Sequence, residues 1–274
     1  MKYKEYDDET LKKLQNLELM VLKDFIKICD ENDIKYYIYG GSLLGAIRHK
    51  GFIPWDDDVD VIMFNEDYEK FKKIFLANHD EKYEFLNYEA SEDYFFSFSK
   101  IMLKGTKFEE WWSDQVDFTV GINIDIFILY DVPDNNLKRF IHTKICRFLE
   151  RVLTLSSIKL ENYPFFVQII SNTTHSILNL LNITPHKIFK HHFKLLNKYD
   201  NTKRVCDICA LNHPQIYLKN DYGDGIKVEF EDIQVNIPIN YSKILEQIYG
   251  DYMELPPKEK RYNHFPHNLD FGPY

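Results

Sequence analysis

Three adjacent aspartates lead directly into an apolar segment, in the run Trp-Asp-Asp-Asp-Val-Asp-Val-Ile-Met-Phe at residues 55–64. If this run is a strand, alternate side chains share a face, and Asp56, Asp58 and Asp60 point the same way. Carboxylates that crowd together beside a core repel each other unless a positive group lies among them. An isolated acidic triplet is usually a solvated turn, but the apolar continuation of this one favours a divalent cation with oxygen ligands.

A further carboxylate in an apolar strand is Asp125, within Ile-Asn-Ile-Asp-Ile-Phe-Ile at residues 122–128. The isoleucines alternate on the opposite face, so Asp125 needs a compensating positive group. That group could be a nearby lysine or arginine. If Asp125 instead lies in the same sheet as Asp58 and Asp60, the carboxylates of two strands form a Mg²⁺ site, which could also accept Mn²⁺.

A glycine-rich turn precedes the aspartates. Gly40 and Gly41 end a short strand-like run, and a helical run follows at residues 42–47, beginning with Ser42. Glycines let the backbone approach a phosphate closely, and the helix presents its positive N-terminal end to an anion. Gly-Gly-Ser alone is usually only a turn, but its place between a strand and an Asp-x-Asp strand predicts a site for a phosphate-bearing ligand.

The order of elements predicts a fold of mixed helices and strands, α/β in the broad sense and α+β in the narrow sense, in which helices flank a mixed sheet. Residues 10–31 have the spacing of an amphipathic helix. Strand candidates lie at 36–39, 55–64, 83–88, 95–103, 121–129, 226–229 and 233–237. Residues 137–198 have long helical patterns, and Pro164 and Pro185 divide this stretch into three helices. We therefore predict a catalytic core at residues 1–136, a helical insertion at 137–200 and a return to the core at 201–274.

Composition limits the partners and the location of the chain. Its 34 basic and 43 acidic residues give a formal net charge of −9, which argues against nucleic acid as a partner. Four cysteines in 274 residues do not suggest disulfides. We find neither a signal peptide nor the roughly 18 uninterrupted apolar residues of a spanning helix. We expect a cytoplasmic protein that could work at the inner face of the membrane.

Two long segments resemble a known family. The run Tyr-Gly-Gly-Ser-Leu-Leu-Gly-Ala-Ile-Arg-His-Lys-Gly-Phe-Ile-Pro-Trp-Asp-Asp-Asp-Val-Asp-Val-Ile-Met at residues 39–63 is similar to the signature of the LicD family, a branch of the nucleotidyltransferase-fold superfamily. Tyr-Gly-Asp-Tyr-Met-Glu-Leu-Pro-Pro at residues 249–257 resembles the family again. The resemblance implies a nucleotidyltransferase-like core in which Asp58, Asp60 and Asp125 hold the metal and carry catalysis.

The resemblance also implies a reaction. A phosphate-linked group, phosphocholine in the best-known case, passes from a CDP-activated donor to a hydroxyl of a glycan or of its lipid-linked precursor, and CMP leaves. Lipopolysaccharide and teichoic acid are acceptors of this class. Two alternatives stay open: a nucleotidyltransferase that moves a nucleoside monophosphate to a small molecule, and a nucleotide-binding protein without turnover.

Side chains around the two motifs are further candidates for donor binding. Arg48 and His49 precede the aspartates and could reach phosphates, with arginine the better bidentate donor. Asp56, Lys100 and His264 are the other candidates, and each could instead serve packing or a solvated surface.

Three other patterns in the sequence are weaker indications of function. Cys206 and Cys209, followed by His213, have the spacing of half a zinc site, but such cysteines are more often buried thiols that bind no metal. Trp111 and Trp112 could form a cage for a quaternary ammonium group, although core packing is more common for such a pair. The segment after residue 137 carries a basic amphipathic pattern that predicts weak membrane contact. Its basic members are Lys138, Arg139, Lys144, Arg147 and Arg151, and its apolar members are Phe140, Ile141, Ile145, Phe148 and Leu149.

Overall fold

The structure, a computed structural model, describes residues 3–78, 81–91, 93–160, 163–209 and 214–274. The helices are α1 (Asp8–Glu31), α2 (Gly40–His49), α3 (Asn65–Asn78), α4 (Asn136–Ser157), α5 (Phe165–Leu180), α6 (Pro185–Leu196), α7 (Lys219–Tyr222) and α8 (Tyr241–Tyr249). The strands are β1 (Tyr37–Ile38), β2 (Asp60–Phe64), β3 (Tyr83–Leu86), β4 (Ser99–Leu103), β5 (Lys107–Glu109), β6 (Asn123–Val132), β7 (Arg204–Asp207), β8 (Gln215–Leu218), β9 (Ile226–Phe230), β10 (Ile233–Ile237) and β11 (Asn268–Asp270).

The main sheet is mixed and is organised around β6. Its strand order is β1-β2-β6-β4-β3, and the C-terminal end of β6 continues the sheet through β7 and β8. β2 runs parallel to β6, whereas β4 and β7 run antiparallel to it. The isoleucines at 124, 126 and 128 are buried, as alternation along one strand requires. The predicted fold class, a mixed sheet flanked by helices, is confirmed.

Helix α1 covers the sheet with the apolar stripe that its sequence predicts. Leu14, Leu22 and Phe25 are fully buried in the main core. Its first turn is closed by Asp7, whose side chain accepts a hydrogen bond of 2.9 Å from Thr10 N. The helix packs its apolar face against β4 and β6, and β6 is the strand that carries Asp125.

The strand predicted for residues 55–64 is shorter than expected, because β2 begins only at Asp60. Asp56 N donates to Ile53 O at 2.9 Å, so the chain turns here instead of extending. Gln15 Nε2 then donates to Asp56 O at 3.0 Å and fixes the turn to α1. The prediction that Asp56, Asp58 and Asp60 share one face of a strand is wrong, since the first two lie in the loop before β2.

Helix α2 also starts earlier than predicted. Gly40 and Gly41 form its first turn together with Ser42 and are not a separate loop before it. Tyr39, in extended conformation, precedes this turn, and Leu43 N donates to Tyr39 O at 2.9 Å. The glycines are therefore part of the helix N-terminus that faces the aspartate loop.

Between β6 and β7 the chain forms α4, α5 and α6, the three helices predicted from Pro164 and Pro185. Thr184 caps α6 by accepting a hydrogen bond from Lys187 N, with Pro185 as the first helical residue. The division into a core and an insertion stays a prediction. Among the described residues, no helix has both the length and the apolar character that crossing a membrane requires.

The C-terminal segment returns to the first half of the chain through an unpredicted pairing. β11 runs antiparallel to β5, and His267 N donates to Glu109 O at 2.8 Å. The predicted pair of strands at β9 and β10 is confirmed as an antiparallel hairpin. The pairing of β11 with β5 places residues 264–267 beside the aspartate loop.

Candidate functional site

The loop before β2 brings carboxylates close together. Asp56, Asp57 and Asp58 each offer a carboxylate oxygen, and these oxygens lie within 4.8 Å of one another. Among the described residues, these three form the one group of at least three His, Cys, Asp or Glu side chains whose ligand atoms lie that close together. This group shares Asp58 with the predicted metal-binding set of Asp58, Asp60 and Asp125. Asp60 and Asp125 lie outside it, on the neighbouring strands β2 and β6.

Asp60 and Asp125 occupy paired positions on the parallel strands β2 and β6. Asp125 N donates to Val59 O at 2.8 Å, which continues this pairing beyond the start of β2. The prediction that Asp125 lies in the same sheet as Asp60 therefore agrees with the fold. Burial raises the pKa of both carboxylates, and the charge of Asp58 raises the pKa of each further, while Lys100 opposes the rise at Asp125.

Asp125 has a cationic partner within the protein. Lys100 lies opposite it on β4, and Lys100 Nζ is 2.5 Å from Asp125 Oδ1 and 3.2 Å from Asn123 Oδ1. Both charged side chains are largely shielded from solvent. The alternative in which a lysine compensates Asp125 is therefore realised, and Asp125 does not depend on a metal alone. Contact of Lys100 with donor phosphates stays a prediction.

The first turn of α2 lies against the carboxylates. A Cβ atom at Gly40 would be 2.7 Å from Asp60 Oδ2, and one at Gly41 would be 2.9 Å from Asp56 Oδ2. Ser42 Oγ accepts a hydrogen bond of 2.9 Å from Asp60 N. Glycine is required at residues 40 and 41 because a larger side chain would displace these carboxylates, and Ser42 fixes the start of β2.

Asp57 attaches the C-terminal segment to the acidic loop. Its carboxylate accepts hydrogen bonds of 2.9 Å from both His264 N and Phe265 N, and one of 2.8 Å from the Tyr6 hydroxyl. Burial and the charge of Asp58 raise the pKa of Asp57 to about 6. Sequence reasoning missed this role, because nothing local to Asp57 indicates a partner more than 200 residues away.

His264 lies beside the aspartate loop, and its predicted contact with substrate stays a prediction. Its Nδ1 is 3.2 Å from Glu110 Oε2, and its Nε2 is 3.6 Å from Asp58 Oδ2. Burial alone would lower the pKa of His264, but the hydrogen bond to Glu110 and the charges of Glu110 and Asp58 raise it well above its usual value. His264 thus links Asp58 to Glu110, a residue that sequence reasoning did not assign to the site.

Glu18 is the other carboxylate that sequence reasoning missed. It lies on α1 and is 2% exposed, and its Oε2 accepts no hydrogen bond from the residues that the structure describes. Burial raises the pKa of Glu18, and the next causes are the charges of Asp58 and Asp57. The signal was present, since Glu18 interrupts the apolar stripe of α1 four residues after Leu14.

We call this set of carboxylates the acidic cluster. Its members are Glu18, Asp56, Asp57, Asp58, Asp60 and Asp125. Burial and then the neighbouring carboxylates raise the pKa of Asp56 and of Asp60 well above the usual value. A divalent cation would remove this repulsion and favour the ionised forms. The orphaned oxygen of Glu18 and the purely oxygen donor set both fit a hard cation.

Arg48 and His49 lie at the other end of α2. Because α2 has ten residues, Arg48 is roughly 12 Å along the helix axis from Gly40. Its Nη1 donates to Tyr252 O at 2.9 Å and to Glu254 O at 3.3 Å, and its Nε donates to His49 Nε2 at 3.0 Å. Arg48 therefore holds the second motif segment in place, and its contact with phosphate stays a prediction.

Two of the three weaker sequence patterns, the tryptophan pair and the cysteine pair, are accounted for by packing. Trp112 is buried against Phe95 and Phe118, so the predicted quaternary ammonium cage of Trp111 and Trp112 is not formed as a pair. Burial raises the pKa of the Cys206 and Cys209 thiols, and no third described ligand atom joins them within 4.8 Å. His213, the nearest candidate ligand in sequence, lies outside the described residues.

Comparison with known proteins agrees with this geometry. The sequence profile of the family described as LicD/FKTN/FKRP, nucleotidyltransferase domain, matches residues 33–167. The lipopolysaccharide cholinephosphotransferase LicD of Haemophilus influenzae is 31% identical over 264 residues, which cover 93% of this chain and 96% of that protein. The human ribitol 5-phosphate transferase FKRP is 45% identical over 42 residues, 15% of this chain and 8% of that protein.

The matched regions include the elements that form the site. The profile includes the first turn of α2, the acidic loop, β2 and β6, and the longer alignment leaves few residues of either protein uncovered. The family expected from residues 39–63 is therefore confirmed, and the chain belongs to the LicD family.

Proposed function

We propose that this LicD-family phosphotransferase transfers phosphocholine from CDP-choline to a hydroxyl group of a cell-surface glycan, or of its lipid-linked precursor, and releases CMP. The observation that carries the proposal is the similarity to the Haemophilus influenzae lipopolysaccharide cholinephosphotransferase over 93% of this chain. That similarity extends beyond the acidic cluster into the second half of the chain, which supports a shared acceptor class as well as a shared chemistry.

The acidic cluster fits a divalent cation, and we assign Asp58, Asp60 and Asp125 as the residues that hold it. Mg²⁺ and Mn²⁺ both suit carboxylate oxygens. The bound cation would neutralise charge on the donor phosphate oxygens, which together with positioning is what phosphoryl transfer requires. Lys100 would keep the Asp125 carboxylate in place through their contact of 2.5 Å.

The first turn of α2 would hold the donor diphosphate. Backbone N–H groups at a helix N-terminus have no intrahelical partners and bind anions. Gly40 and Gly41 let the carboxylates of Asp60 and Asp56 lie against this backbone, so that a cation held by the carboxylates and the donor phosphates would meet at the same end of the helix. Ser42 acts as a positioning residue, because its Oγ binds the backbone of Asp60.

The transfer itself is a displacement at phosphorus. The acceptor hydroxyl oxygen forms a bond to the phosphorus that carries choline, and the bond from that phosphorus to the CMP oxygen breaks. The hydroxyl proton passes to a carboxylate of the acidic cluster, and CMP leaves with the bonding electron pair. His264, between Asp58 and Glu110, orients Asp58 for this step.

A polyol phosphate is the second candidate for the transferred group. The match to ribitol 5-phosphate transferase favours it, but that match covers 42 residues and only 15% of this chain. A segment of this size can share the diphosphate site without sharing the pocket for the transferred group. The longer match therefore favours choline.

The proposal is tested by incubating the protein and Mg²⁺ with a lipooligosaccharide acceptor and, in turn, CDP-choline, CDP-ethanolamine, CDP-glycerol and CDP-ribitol. We expect CMP to be released mainly from CDP-choline, and Asp58→Asn to abolish the release. The matched control is Asp224→Asn, whose side chain is 93% exposed and pairs only with Lys35 among the salt bridges of the described residues. CMP release by Asp58→Asn equal to that of the control would refute the assignment of the site.

A further inference from the structure

Helix α4 exposes a continuous apolar stripe. Its members are Leu137, Phe140, Ile141, Ile145 and Phe148, with exposed fractions between 46% and 68%. Their spacing of three and four residues places them along one side of the helix. The opposite side, with Cys146 and Leu153, is fully buried. An amphipathic helix packed in this way should expose polar residues, so the apolar stripe of α4 needs a partner.

Helix α5 repeats the pattern next to α4. Its exposed members, with the residue that follows the helix, are Phe165, Phe166, Ile169, Ile170, Ile177, Leu180 and Leu181, with exposed fractions between 49% and 85%. The helix contains no Asp, Glu, Lys or Arg. Ser171 on its inner side is fully buried and accepts a hydrogen bond of 3.2 Å from Leu160 N. We call the exposed stripes of α4 and α5 the apolar surface. Exposed apolar areas of this extent mark interaction sites.

The charge of this region is opposite to that of the remaining chain. Residues 136–198 contain ten Lys and Arg and two Glu, a formal charge of +8, whereas the whole chain carries −9. The residues outside this region therefore carry −17. Lys138, Lys144 and Arg151 are exposed on α4 within or beside its apolar stripe.

Two of the basic residues in the predicted amphipathic pattern have a different role. Arg139 Nη1 donates to Pro133 O at 2.9 Å, and Arg147 Nη1 donates to Ile208 O at 2.9 Å. These side chains fix α4 to the neighbouring chain segments. On α4, the positive charge that remains available to a partner comes from Lys138, Lys144 and Arg151.

We propose that the apolar surface is a docking site for the surface of an anionic lipid bilayer. Apolar side chains flanked by lysine and arginine lie in the boundary between headgroups and acyl chains, and anionic headgroups attract the basic residues. A second copy of the chain is disfavoured as the occupant, because a symmetric dimer would bring two regions of charge +8 together. This inference goes beyond the proposed function, since it needs neither donor nor acceptor.

The test is co-sedimentation of the full chain with vesicles of phosphatidylcholine alone and of phosphatidylcholine with phosphatidylglycerol. We expect binding to the anionic vesicles that weakens as salt is raised, and little binding to the neutral ones. Lys138→Gln, Lys144→Gln and Arg151→Gln combined should weaken binding about 100-fold, from about fivefold for each basic side chain. Ile169→Ser with Ile170→Ser should weaken it about tenfold or more.

The matched control is Lys73→Gln with Leu76→Ser on α3, where both side chains are exposed and Leu76 is 55% exposed. This variant should bind vesicles as the unmodified chain does. Equal binding by all variants, or no binding to anionic vesicles at low salt, would overturn the proposal. So would a dimer in solution that Ile169→Ser with Ile170→Ser dissociates. Because no nucleotide is present, failure of CMP release leaves this test unaffected.

Discussion

Replacing Gly40 with alanine perturbs the site at one atom. Gly40 has a φ of +54°, and an added Cβ would lie 2.7 Å from Asp60 Oδ2. The backbone of Asp60 cannot move away, because its N donates to Ser42 Oγ at 2.9 Å and its O accepts from Tyr39 N at 2.9 Å. The carboxylate of Asp60 must therefore rotate away from α2.

The structure separates two effects of Gly40→Ala. The left-handed backbone conformation costs alanine about 1–2 kcal/mol of folding stability. Displacing the Asp60 carboxylate by a large fraction of an ångström should lower kcat about 100-fold, because metal-assisted displacement depends on alignment. The first effect is measured by urea unfolding, and the second by CMP release from CDP-choline at saturating donor.

Gly105→Ala is the control for backbone strain. Gly105 has a φ of +77°, and its added Cβ would meet only Pro273 Cδ, at an ordinary contact distance of 3.5 Å. We expect a loss of stability like that of Gly40→Ala, without the loss of kcat. If Gly40→Ala and Gly105→Ala kept the same kcat, the proposed role of the Asp60 carboxylate would be wrong.

Three further predictions concern the cation, the ion pair and a buried acid. At Mg²⁺ about 100-fold above its Kd, the melting temperature should rise by roughly 5–10 °C, and Asp58→Asn should abolish this rise in a thermal shift assay. Lys100→Met leaves Asp125 unpaired and should cost about 3–5 kcal/mol in urea unfolding, whereas a second change, Asp125→Leu, should recover most of it. Burial raises the pKa of Glu150 from 4.5 to about 7, opposed by its hydrogen bond from Ser97. The folded protein thus binds this proton more tightly, and stability falls as the pH rises from 4.5 to 7, by at most about 3 kcal/mol relative to Glu150→Gln.

Each of these predictions has a contradicting result. A Mg²⁺-dependent rise in the melting temperature of Asp58→Asn equal to that of Asp224→Asn would place the cation elsewhere. A double variant at Lys100 and Asp125 no more stable than Lys100→Met would show that the pair does not account for the loss. Parallel stability profiles of the unmodified chain and Glu150→Gln between pH 4.5 and 7 would show that Glu150 does not titrate as its burial requires.

The local physics of the sequence predicted much of the fold. Alternating isoleucines around Asp125 identified β6, the stripe of Leu14, Leu22 and Phe25 identified α1, and Pro164 and Pro185 separated the three helices. These patterns report interactions within a few residues. The strand bounds at residues 55–59 were wrong, because the hydrogen bonds of Asp56 to Ile53 and Gln15 outweigh the strand-like alternation.

Most of the candidate residues that sequence reasoning placed together lie in one motif, and Asp125 and His264 are the two that it added from outside that motif. Gly40, Gly41, Asp58 and Asp60 belong to one continuous segment, so their proximity follows from its turn. Glu18 comes from α1, and the contacts of Glu110 and Asp57 with the C-terminal segment depend on the pairing of β11 with β5. Such contacts are set by tertiary packing and leave no local pattern, except for Glu18, whose charge interrupts an apolar stripe.

The central claim is that an acceptor hydroxyl attacks the phosphorus that carries choline. Two samples of CDP-choline, one labelled with ³²P at the choline-side phosphorus and one at the nucleotide-side phosphorus, test it directly with a lipooligosaccharide acceptor and Mg²⁺. The account predicts that the choline-side label appears in the glycan and that the nucleotide-side label remains in CMP. Transfer of the nucleotide-side label to the acceptor would contradict it.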